Sequence, residues 1–147
     1  WTGGREKAPA AMCRKVALAK LTGDPQVEIW GDGDQTRSFC YIDDCLKGIH
    51  KLMDSDFPEP LNLGQDVLIS INGLADLVAD VAGVNIKKKH IPGPQGVRGR
   101  NSDNSKLREV LGWEPETSLR DGLAKTYDWI EQQAAHWLDN QRQGKAA

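Results

Sequence analysis

Val27-Glu28-Ile29-Trp30-Gly31-Asp32-Gly33-Asp34-Gln35-Thr36-Arg37-Ser38-Phe39 is the stretch that decides the fold. Its first four residues alternate, the two-residue period of a short strand with one buried face. The glycine and aspartate loop ends that strand, and Ser38-Phe39-Cys40-Tyr41-Ile42 reads as a second short extended stretch. Helices flank the pair. Upstream, Pro9 suits a first helical turn, an Ala-rich run continues to about Leu21, and Gly23-Asp24-Pro25 stops it. Downstream, Asp43 stands where an N-cap belongs, opening a helix through Leu46, Ile49 and Met53.

Working further out, Leu61-Asn62-Leu63-Gly64 reads as a buried strand and a turn. Ser70 caps a helix whose Ile71, Leu74, Ala75, Val78 and Val81 keep helical spacing, and Gly83 ends it. Residues 86–91 form a strand, followed by a loop over 92–96. Asp103 caps a short helix closed by Gly112. Ser118 and Asp121 approximate a capping box for a last helix, with Leu119, Leu123, Tyr127, Ile130 and Ala134 on one face. Short strands among helices define an α/β chain. The regular βαβ alternation of a complete nucleotide-binding domain is missing.

The 147 residues suffice for one compact domain, and 39% apolar with 27% charged residues is an ordinary soluble balance. No apolar run approaches the roughly 20 residues of a membrane span. A net charge of −2 argues against a general nucleic-acid binder. Cys13, Cys40 and Cys45 are odd in number and lack CxxC spacing, so they read as reduced, mostly buried thiols without a disulfide or a zinc site. His50, His90 and His136 share no metal spacing. The start at Trp1-Thr2-Gly3-Gly4 shows neither an initiator Met nor a signal peptide, and the expectation is a piece of a longer chain.

Three clusters carry candidate chemistry. Gly3-Gly4-Arg5-Glu6-Lys7-Ala8-Pro9 leads into a helix, whose N-terminus offers free amides to an anion. A Lys beside Arg5 and a helix N-terminus gives up its proton more readily, which would poise Lys7 for proton transfer; a solvated helix start is the plainer reading. In the Gly31–Phe39 loop, Arg37 can fork onto a phosphate, and an ordinary hairpin turn fits equally. A calcium loop fails there, because Arg37 stands where Gly is required and Asp43 where a bidentate Glu is usual. Arg98 and Arg100, one Gly apart before a capped helix, form a third anion candidate. The Lys87-Lys88-Lys89-His90 run reads as a solvated edge strand. Asp43 and Asp44 read as a cap and a surface charge, and Trp113 and Trp129 as packing residues.

The order Gly31-Asp-Gly-Asp-Gln-Thr-Arg-Ser-Phe, Tyr41-Ile-Asp-Asp, Leu61-Asn-Leu-Gly, Ser102-Asp-Asn-Ser-Lys and Leu111-Gly-Trp-Glu-Pro resembles the C-terminal half of extended short-chain dehydrogenases acting on nucleotide sugars. Gly3–Ala11 and His90–Asn104 are most similar to the GDP-mannose 3,5-epimerase group. The resemblance implies the last part of a Rossmann sheet plus the small α/β substrate-binding domain. It implies a nucleotide-sugar region over 1–137; beyond Trp137 the residues turn polar, and the expectation there is a frayed tail over 138–147.

For activity, the resemblance implies interconversion of GDP-mannose and GDP-L-galactose by transient C4 oxidation and proton transfer at C3 and C5. Lys7 would be the proton-transferring Lys, with Glu6, Lys7, Ala8, Lys15, Gln35, Thr36, Arg37 and Arg100 on the substrate. NAD would be bound mainly by an upstream half that also holds a Tyr-x-x-x-Lys pair and a catalytic Cys. A homodimer in the cytoplasm would follow. Another sugar-nucleotide epimerase or dehydratase, and a non-catalytic nucleotide-sugar-binding module, are the alternatives. The connection over 21–26 is longer than the family's by about four residues, and Gly73 stands where a Glu would complete a capping box with Ser70.

Overall fold

The computed structural model describes residues 1, 4, 6–94 and 96–144. The chain runs α1 (Ala8–Thr22), β1 (Gln26–Trp30), β2 (Thr36–Arg37), α2 (Ile42–Met53), β3 (Ile69–Ser70), α3 (Ile71–Ala82), β4 (Lys87–Ile91), β5 (Gly99–Arg100), α4 (Ser105–Leu111) and α5 (Leu119–Gly144).

Helices α1, α3 and α5 pack on one another. Cys13, Val16 and Ala17 of α1 meet Leu74, Ala75 and Val78 of α3 and Leu123, Tyr127 and Ile130 of α5, all buried. The spacings are those of apolar helix faces, and burial of this size is what holds three otherwise marginal helices. Val27 and Ile29 of β1 point into the same core, while Gln26, Glu28 and Trp30 face outward.

β1 pairs in parallel with β4, Ile29 opposite His90. β4 is solvated, as its lysines imply: Lys88 bridges Asp76 at 2.7 Å and Lys89 meets Glu28 at 3.6 Å. A second, three-stranded sheet has the order β3-β2-β5. In it Arg37 lies opposite Ile69 on one side and Arg100 on the other.

Caps follow the sequence at α3, where Ser70 Oγ accepts from Gly73 N at 3.0 Å and Gly83 ends the helix. Ser118 Oγ accepts from Asp121 N at 3.1 Å and donates to its carboxylate at 2.6 Å, a tighter local variant of the box.

Several expectations are corrected. Leu61–Gly64 is irregular and half-buried: no strand among the described residues pairs with it, and a strand without a ladder partner does not persist. Side chains take up part of that backbone instead, with Asn104 Nδ2 donating to Gly64 O at 2.7 Å. The second extended stretch narrows to Thr36–Arg37, where ladder partners exist. Tyr41, not Asp43, holds the N-cap of α2. Asp44 is buried rather than a surface charge, because its Oδ2 accepts from Thr117 N at 2.7 Å. Asn104, not Asp103, precedes α4, and Asp103 makes a local turn to Ser105 N. Trp113 is buried but Trp129 is half exposed, since α5 turns that position away from the core. Of the three free cysteines only Cys13 is fully buried. Residues 138–144 continue α5 as helix where a frayed tail is expected, and 145–147 lie outside the described residues.

Candidate nucleotide-sugar site

A cleft of about 300 Å³ opens between the first turns of α1, the outward face of β1 and the start of β2. Glu6, Ala8, Lys15 and Gln35 line it, joined by Glu28 and Trp30.

Glu6 lies almost buried just before α1. Its Oε1 accepts from Arg14 Nε at 3.1 Å and from the Arg14 terminal nitrogen at 2.6 Å. This ion pair, two helical turns long, anchors the entry to α1. Lys7 occupies the N-cap position of α1, exposed, with its carbonyl accepting from Ala11 N at 3.0 Å. Arg5, the neighbour expected to act on Lys7, lies outside the described residues.

Lys15 reaches across the cleft and donates from Nζ to Glu28 O at 2.6 Å. Burial, and next the charge of Arg14, pull its ammonium below the ordinary lysine range. Gln35 is 7% exposed. Its Nε2 donates to Trp30 O at 3.3 Å, and its Oε1 has no hydrogen-bond partner among the described residues.

Thr36 is held by the second sheet, its N donating to Arg98 O at 2.9 Å. Arg37 spends one donor on Thr36 O at 2.6 Å. Its register partner Arg100 is exposed. Register partners on adjacent strands share a face, with backbones about 4.8 Å apart, so Arg37 and Arg100 leave the sheet on the same side. The expected Arg98–Arg100 pair is not what forms. Arg98 turns to Asp32 at 2.7 Å, and that guanidinium holds the Asp32 carboxyl below its usual range. Arg98 is thereby neutralised, and Arg37 replaces it as the companion of Arg100.

The site therefore has two parts joined through Gln35-Thr36-Arg37: a cleft with Lys15, Glu28 and Trp30, and a two-arginine anion corner. Arg14, Glu28 and Trp30 escape the motif reading. The signal for the last two is the alternation of β1, which leaves them on its open face. No group of three metal-ligating side chains occurs among the described residues, and no helix among them is long and apolar enough to cross a membrane.

NAD requires a glycine turn from a strand into a helix N-terminus, with amides open to pyrophosphate. Here the glycine loop after β1 leads into β2, and it carries Asp32 and Asp34. Those carboxylates would repel a pyrophosphate. The residues present do not fit NAD, and no step is derived through it in this chain.

With fold and site in place, comparison with known proteins fixes the class. The chain belongs to the GDP-mannose 4,6 dehydratase family, whose profile matches residues 3–126. Among its relatives, GDP-mannose 3,5-epimerase of Arabidopsis thaliana is 51% identical over 133 residues, covering 90% of this chain and 34% of that protein. Among solved structures, UDP-glucose 4-epimerase of Thermotoga maritima with UDP-glucose superposes with a TM-score of 0.78 at 28% identity. The match covers 88% of this chain and 41% of that one. UDP-glucuronic acid 4-epimerase of Bacillus cereus in complex with NAD gives 0.71 at 30% identity, covering 90% and 42%. The α/β fold expected from the sequence, the C-terminal portion of an extended short-chain dehydrogenase, is borne out by these likenesses. The chain spans about a third of the length of the curated relatives it matches.

Proposed function

We propose that this chain is the substrate-gripping C-terminal part of an NAD-dependent nucleotide-sugar epimerase that interconverts GDP-mannose and GDP-L-galactose. The observation that carries this reading is 51% identity to a GDP-mannose 3,5-epimerase across 90% of the chain. The geometry supports it. Arg37 and Arg100 offer paired forks to a diphosphate, the arrangement that guanidinium groups serve best. The unpartnered Gln35 Oε1 accepts from a ligand hydroxyl, because a buried acceptor left empty costs about 1–3 kcal/mol. Phosphate, with acceptors only, cannot fill that role, so the arginines and Gln35 take different parts of the ligand.

Lys7 exchanges a proton with the sugar, at the end of a helix whose entry Glu6 and Arg14 hold in place. NAD supplies the oxidation at C4 and is held by the rest of the longer protein, so this segment does not catalyse alone. The full protein acts as a homodimer in the cytoplasm. Product analysis of the full-length protein with GDP-mannose tests the reading. Epimerised product is expected, and Lys7→Ala should lower the rate at least about 10²-fold, as loss of a positioned proton-transfer group does. No epimerised product contradicts it. The structural likeness to UDP-sugar 4-epimerases favours one alternative, an enzyme of the same scaffold on another sugar nucleotide. The same assay with UDP-glucose separates the two.

A further inference from the structure

Two of the three thiols bracket the first turn of α2. Tyr41 is the N-cap, so Cys40 holds the position before the cap and Cys45 the fourth position of the helix. Side chains at those two positions pack on each other where a chain enters a helix, as in a hydrophobic staple. The Cα–Cβ bond of a helical residue leans toward the N-terminus, which aims Cys45 back at the cap. Cys40 folds forward to meet it. Its Sγ donates to Tyr41 O at 3.6 Å, the same oxygen that accepts from Cys45 N at 3.0 Å. Both thiols are half-buried, whereas Cys13 is sealed in the core. Burial, and next the charge of Cys45, pushes the Cys40 thiol up to about 11, so each sulfur lies within range of the other's charge. Neither cysteine lines the nucleotide-sugar cleft.

We propose that Cys40 and Cys45 form a reversible intramolecular disulfide when the protein meets a low-molecular-weight disulfide such as oxidised glutathione. Cys45, as its thiolate, attacks one sulfur of the oxidant. The oxidant's sulfur–sulfur bond breaks, and the departing glutathione thiolate takes up the proton that Cys45 lost. Cys40, deprotonated in turn, attacks the Cys45 sulfur of the mixed disulfide and expels the second glutathione, which is protonated likewise. Two protein thiols are oxidised and one disulfide is reduced to two thiols. Cys40 reacts second, because its thiol is hard to deprotonate and the repelling charge on Cys45 is gone once the mixed disulfide has formed. The new bond ties the segment leaving β2 to the first turn of α2.

Non-reducing tryptic mapping of the full-length protein, after incubation with oxidised glutathione at pH 8, tests the inference. Arg37 and Lys47 are the flanking cleavage sites, so residues 38–47 come off as one peptide that holds Cys40 and Cys45 and no other cysteine. That peptide should be lighter by two hydrogens, resist alkylation, and regain both thiols after dithiothreitol. Cys40→Ser should instead retain glutathione on Cys45, since the thiol that expels it is gone. A peptide 38–47 that keeps both free thiols, carries glutathione or is linked to another peptide overturns the inference. So does a Cys40→Ser protein with no more glutathione on Cys45 than the unaltered one.

Discussion

Gly48 shows how single residues set the local packing. It sits in α2 with Leu63 and Trp113 so close that an added Cβ would lie 2.5 Å from Leu63 Cδ1 and 2.9 Å from Trp113 Cζ3. Gly48→Ala gains about 1 kcal/mol of helix propensity but loses about 1–3 kcal/mol to overpacking against a buried ring. The net should be a loss of about 1 kcal/mol, read as a lower urea midpoint. Cys13 lies in the core, and burial pushes its thiol up to about 12. At pH 8 it should resist a thiol reagent in the folded protein and react on unfolding, which mass mapping of labelled peptides would show. Motif reading at this scale reaches only what a side chain's own chemistry carries; Gln35 and Lys15, which the family resemblance alone puts on the substrate, both line the cleft. It failed where partners come from far along the chain, as with Asp44 and Thr117, or Arg98 and Asp32. No spacing rule announces those contacts.

At the scale of elements, two loops are stitched by the Asp32–Arg98 pair, which ties the β1–β2 turn to the approach of β5. The Asp32 carboxyl is held below its ordinary value of 3.8 by the Arg98 hydrogen bond first. A carboxyl depressed in the fold adds stability above its unfolded value and loses it as pH falls through the folded one. The difference in urea midpoint between the unaltered protein and Asp32→Asn should be constant from pH 5 to 8 and shrink below pH 4. A difference that grows on acidification would contradict the pairing. Ser70→Ala removes the cap of α3 and should cost about 1 kcal/mol in the same measurement. Helices were legible because their periodicity and caps are written locally. The two-residue strands β2, β3 and β5 were not, since each exists only by pairing with a distant neighbour, and Leu61–Leu63 lacks one.

For the whole molecule, the salient feature is α2. Its Asp44 and Gly48 side is buried, while Ile42, Leu46, Ile49 and Met53 form a stripe exposed by 57%, 48%, 44% and 74%. Apolar residues at positions i, i+4, i+7 and i+11 on an open helix face drive association in water. The 147-residue chain should therefore show a sedimentation mass that rises with concentration. Ile49→Lys with Met53→Lys should hold it monomeric with little change in its far-ultraviolet spectrum. The central claim concerns the longer protein and is tested most directly in heavy water. Full-length protein incubated with GDP-mannose in D2O should yield epimerised product carrying solvent deuterium at C3 and C5, and Lys7→Ala should slow its formation at least about 10²-fold. Unchanged GDP-mannose, or product without solvent deuterium at either carbon, would contradict the account.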